Sequence, residues 1–135
     1  LTEWTVEGVP GDGVNKVWSE VEPLLRKALD RGRGEWAATD IHSGILDRSF
    51  QLWVAKHSGV IRGAGVTQIL NYPRLRVCVF TLGGGSQLKF YKWGIHIIEE
   101  WARSQGCDEL RIYGRRGWLK TLGWDEAYTV AAKRL

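Results

Sequence analysis

The residues best placed to do chemistry are Gly83, Gly84, Gly85 and Ser86, which stand between an apolar run and a long helical pattern. Where a strand passes through glycines into a helix, free backbone N–H groups and the positive helix end converge, and such a corner can hold an anion, commonly a phosphate. Arg115 and Arg116 follow a later strand, on the side where strand ends and helix starts gather, and could reach a phosphate or an acidic partner. Other constellations fall away. His42, His57 and His96 share no ligand spacing, so no metal site is expected. Ser86 and His96, ten residues apart on one helix, are separated by nearly three turns and cannot pair as nucleophile and base. Cys78 and Cys107 make neither a disulfide framework nor a ligand set, and read as reduced, packed thiols.

A chain of 135 residues, 44% hydrophobic and 25% charged, has the length for one domain with a real core and the composition of a soluble globular protein. No apolar run reaches membrane-spanning length and no charged-then-apolar leader opens the sequence, so an intracellular or assembly-bound protein is expected. The net charge of +4 is uneven: residues 1–67 carry 8 basic and 9 acidic side chains, residues 68–135 carry 11 and 6. The positive half holds the glycine corner, and could receive a phosphorylated cofactor, a nucleic acid or an acidic protein face. Nucleic acid is disfavoured, because the long helix offers only Lys89, Lys92 and Arg103, offset by Glu99 and Glu100. Eight tryptophans and no methionine are unusual for this size. Several are expected in the core, and one or two exposed ones would mark a partner surface.

The elements that must position these residues can be read from periodicity. Residues 4–9 alternate as a strand, 10–13 turn, and 14–31 follow a helical pattern that Pro23 is expected to kink or split. Residues 31–34 break it, and Thr39 or Asp40 caps a second helix to about residue 47. A strand at 49–56, a hairpin turn at 57–59 and a returning strand at 60–71 come next, with Gly63 and Gly65 suggesting a bulge or a close backbone approach. A strand at 75–82 leads through the glycine turn into a helix at 87–105, closed by Gly106. Then come a strand at 109–113, a loop, a short helix at 118–122 ended by Gly123, and a last strand at 127–134. Meandering strands followed by a strand–helix–strand crossover imply one α/β (α+β) domain over residues 1–135, with a mixed, mostly antiparallel sheet of about six strands and helices on both faces.

This order, the passage at 75–105, and GWLKTLGWDEAYTV at 117–130 resemble the Gcn5-related N-acetyltransferase (GNAT) superfamily. EWARSQGCDELRIYGRRGWLKTLGW, at 100–124, is similar to short GNAT-like proteins encoded by bacteriophages. The resemblance implies acetyl-CoA as a possible cofactor, absent on a purely structural reading, and the residues themselves call for no metal. Phe80, Thr81 and Leu82 would pair with the pantetheine arm, and Gly83, Gly84, Gly85, Ser86 and Gln87 would cradle the pyrophosphate. Three departures stand out. The glycine turn lacks the family's spacing; Leu119 stands where family enzymes often place a tyrosine acid; and neither 51–54 nor 75–82 carries a carboxylate base. Tyr113 and Tyr128 are the candidates left for that chemistry. The reading these departures favour is a phage-type structural or assembly module, partnered by virion or other phage structural proteins, in the virion or the host cytoplasm, with no membrane and no nucleic acid. The alternative is an acetyl-CoA-dependent N-acetyltransferase that works by direct attack of an amine. On either reading Gly84→Asp probes the turn: it should abolish cofactor binding if the turn cradles phosphate, and leave assembly intact if not.

Overall fold

The computed structural model describes residues 4–85, 89–114 and 117–135. The elements are β1 (Trp4–Val9), α1 (Val14–Asp30), α2 (Ala38–Leu46), β2 (Phe50–His57), β3 (Val60–Asn71), β4 (Arg76–Gly85), α3 (Lys89–Ser104), β5 (Glu109–Ile112) and α4 (Gly117–Leu122). Five strands form one sheet in the order β1-β2-β3-β4-β5. Every neighbouring pair is antiparallel except β4 and β5, which α3 connects as a parallel crossover. The α/β architecture read from the sequence is the one observed.

The alternation along each strand divides the core between two faces. On one, Val14, Val21 and Leu25 of α1 and Ile41 and Ile45 of α2 pack on Phe50, Leu52, Val54, Ala64 and Val66. On the other, Ile95, Ile98 and Ala102 of α3 meet Trp53, Cys78 and Phe80, with Leu110, Ile112, Leu122 and Trp124 at the margin. Each large aliphatic side chain so buried contributes about 1.5–3 kcal/mol. The α3 face also holds polar groups, all partnered: the Trp53 indole N–H donates to Thr67 Oγ1 at 3.0 Å, and that hydroxyl donates to Gln51 Oε1 at 2.9 Å.

Local chemistry accounts for the element ends, with three corrections. α1 runs through Pro23 as one helix, so the split into two does not occur; Pro23 is exposed, while Val21 and Leu25 on the other side anchor both halves to the core. α2 starts earlier than expected, at Ala38. Asp40, one turn in, accepts the Ala37 N–H at 2.8 Å and so satisfies an open donor from inside the helix. α3 ends at Gly106 with φ +76°, where the Cys107 N–H donates to the Ala102 carbonyl at 3.0 Å.

The third correction is the last strand. Residues 124–135 form no regular element. Tyr128 and Val130 are 69% and 86% exposed, so the segment has no covered face to pay for a strand, and Arg134 Nη2 instead donates to the Arg33 carbonyl at 3.0 Å beyond α1. The tryptophans differ too. Among those whose side chains are described, Trp53 alone is buried; Trp36 is exposed and sits edge-on to Phe50 at 5.3 Å, and the rest are half-buried. No helix among the described residues is long and apolar enough to cross a membrane.

Candidate functional site

β4 and β5 pair only from Val77 with Glu109 to Phe80 with Ile112. Beyond that point β4 continues along β3, pairing Leu82 with Val66, Gly83 with Gly65, Gly84 with Ala64 and Gly85 with Gly63. Phe80 opposes Thr67 and Leu82 opposes Val66, so Thr81 is left over as a β-bulge. A bulge bends the strand and raises its twist, which turns β4 away from β5 at the residue where their pairing stops. From Thr81 to Gly85 no strand pairs with β4 on the β5 side among the described residues, and Thr81, Leu82 and Gly83 are half-exposed. An unpaired strand edge is a template for any extended group that offers alternating donors and acceptors. Past the end of β5 the Trp118 ring of α4 lies over Gly114, where a Cβ would come within 2.8 Å of it.

The anticipated site residues fall into separate roles. Phe80 is core: its ring occupies the space above Gly65, where a Cβ would lie 2.7 Å from it. Thr81 is the bulge, and Leu82 packs on the α1–α2 core. Gly83, Gly84 and Gly85 are strand and not turn, because they form a ladder on Gly63–Gly65 in which neither side carries bulk beyond Ala64. Gly84 is buried under α1, and a Cβ there would sit 2.0 Å from the Leu24 carbonyl oxygen. That glycine serves helix packing, so Gly84→Asp would displace α1 and cannot report on phosphate. Ser86, Gln87, Arg115 and Arg116 lie outside the described residues.

Tyr113 and Tyr128 are brought together by a residue that sequence reasoning passed over. Arg111 lies on β5 with its side chain only 10% exposed, its Nε donating to Glu109 Oε1 at 2.7 Å. Its guanidinium lies 5.8 Å from the Tyr72 ring centroid and 5.3 Å from that of Tyr128, and Tyr113 lines the same groove. Glu109 and then Tyr113 hold it protonated more firmly than an ordinary arginine, against the cost of desolvation. The signal was present in the alternation of ELRIY: Leu110 and Ile112 go to the α3 core, so Arg111 and Tyr113 must take the opposite face.

The remaining candidates supply no reactive group. Burial, with Cys107 nearby, pushes the Cys78 thiol up to about 12, so it is no thiolate at neutral pH. No set of three or more potential metal ligands converges among the described residues. Leu119 is half-buried in α4, and its carbonyl accepts the Gly123 and Trp124 N–H groups at 2.8 and 3.2 Å.

A sheet whose fourth and fifth strands run parallel and then part is the GNAT fold. Solved structures agree over almost the whole chain. An aminoglycoside acetyltransferase from an uncultured soil metagenomic sample, solved in complex with trehalose, superposes with a TM-score of 0.75 at 10% identity, covering 99% of this chain and 97% of that one. The aminoglycoside N-acetyltransferase AAC(6')-Iy in complex with CoA gives 0.73 at 16% identity, covering 98% and 94%. A ribosomal-protein-alanine N-acetyltransferase from Brucella melitensis biovar Abortus 2308 gives 0.71 at 13%, covering 97% and 99%. No protein-family model matches the sequence, and no curated protein matches it either.

Proposed function

We propose that this protein is an acetyl-CoA-dependent N-acetyltransferase. The observation that carries the reading is the wedge opened by the Thr81 bulge, a free strand edge beside a parallel neighbour that has ended. The residues present fit the extended arm of coenzyme A: the Thr81–Gly85 edge offers backbone donors and acceptors in a row, with no side chain on its three glycines to obstruct approach. The same-fold structure that contains CoA supports the reading. No feature of the fold or of its likenesses favours a virion or assembly role.

When bound, the thioester supplies an activated carbonyl and a thiolate leaving group. The chain's own contribution is then mainly positional. The β4 edge would orient the arm, and an unprotonated amine would attack directly, its C–N bond forming as the C–S bond breaks, with the thiolate leaving and the amine's proton passing to water. Lacking a tyrosine at Leu119, the site relies on the leaving ability of the thiolate itself.

A thermal-shift titration tests the binding half. Donor at about a hundred times its dissociation constant adds about 2.7 kcal/mol. Saturable stabilisation, with release of free thiol once an amine is added, is expected; no shift at millimolar acetyl-CoA overturns the proposal.

A further inference from the structure

On the face opposite α3, the Arg111 cluster forms the floor of a groove of about 600 Å³. Tyr72 and Arg74, in the turn before β4, stand at one end; Tyr113, which directly follows the β5 residue paired with Phe80, stands at the other, beside the wedge; Tyr128 closes the outer side. Among the described residues, three exposed phenols and two guanidinium groups line it, and no carboxylate does. Glu109 is turned to Arg111 Nε, which fixes that cation in place, whereas Arg74 is exposed and has no carboxylate partner among the described residues.

We infer that this groove is the acceptor site, and that it selects amines that also carry an anionic group, a carboxylate or a phosphate. The inference rests on the acetyltransferase reading and adds the substrate class. Its logic is charge and distance. The nucleophilic amine must reach the wedge at Thr81, so the remainder of the acceptor lies back along the groove past Tyr113 toward Arg74. There it meets hydroxyl donors and an unneutralised guanidinium, which reward an anion. A polycationic acceptor would meet the unneutralised Arg74 and, among the described residues, no lining carboxylate. This groove therefore differs in requirement from one that binds a polyamine, even on a shared fold.

The test compares amines that differ only in the anionic group, titrated into the whole protein and followed by the Arg111 Nε–H NMR signal. Tetraglycine is set against tetraglycine amide, Gly-Gly-Gly-phosphoserine amide against Gly-Gly-Gly-serine amide, so that each acceptor is long enough to run from the wedge toward Arg74, and spermidine serves as the polycation. The anionic member of at least one pair should bind at least tenfold more tightly than its partner, and which pair responds separates carboxylate from phosphate. Spermidine should bind no better than tetraglycine amide. Arg74→Glu should abolish the preference and Arg74→Lys should keep it. Equal affinities within both pairs, tighter binding of spermidine, or a preference indifferent to Arg74→Glu would overturn the inference. The acetyl-CoA thermal shift is measured on the same samples. A normal shift with no anion preference refutes the acceptor class alone, and loss of the shift in the unmodified protein refutes the transferase reading itself.

Discussion

The two halves of β4 are built to opposite ends. Val77–Phe80 is hydrogen-bonded to strands on both sides and buried on both faces, with Val77, Cys78 and Val79 at 0% exposure. Thr81–Gly85 keeps only β3, and its middle is half-exposed. One unpaired residue separates them. Apolar side chains secure the first half, whereas the second gives up side chains so that α1 can close in on one face and an edge stays open at the rim. A single strand thereby joins core to site without a loop, which holds the edge rigid where a ligand needs it preorganised.

The sharpest way to break this contrast is at Gly84. Gly84→Asp, which forces bulk and charge against the Leu24 carbonyl, is expected to cost about 3 kcal/mol or more in urea unfolding. A folded variant of normal stability would mean that α1 does not sit there. In the doubly paired half, Val79→Ala should cost about 2 kcal/mol by the same measurement, with no separate effect on donor binding beyond it.

The buried thiol beside Val79 gives a pH-dependent contrast. Its folded pKa is raised to about 12 from 9.0, so the unfolded chain releases its proton first as pH rises, and stability is full below about 9 and lost toward 12. Wild-type protein should lose about 1 kcal/mol more than Cys78→Ala between pH 7 and pH 10 in paired denaturant titrations. Identical slopes would mean that the thiol is accessible. The smallest effect belongs to the bulge side chain. Thr81→Ala removes only a 3.4 Å contact to the Val79 carbonyl and should change stability by about 0.5 kcal/mol or less, because the bulge is a backbone device.

Much of the fold was legible, for a physical reason. Strands at 4–9 and 60–71 and the helix closed by Gly106 are set by local periodicity and turn chemistry, and these are sequence-local properties. The glycine stretch misled because three glycines look alike whether they turn, pack or pair. Only the facing Gly63–Gly65 and the α1 backbone decide, and both are distant in sequence. The tail misled in the opposite way. Residues 127–134 have strand-like composition, but a strand exists only where a partner edge takes it up. The tyrosines of the candidate site were picked out singly, while Arg111, which gathers them, was hidden inside an ordinary strand.

The most direct test of the divided strand is amide hydrogen exchange, resolved by residue along β4, without and with saturating CoA. The account predicts strong protection at residues 77–80 in both states. Amides within 81–85 that point away from β3 should exchange fast in the free protein and become protected when CoA binds. Uniform protection along all of β4 in the free protein, or saturable CoA binding that leaves 81–85 unchanged, would contradict it.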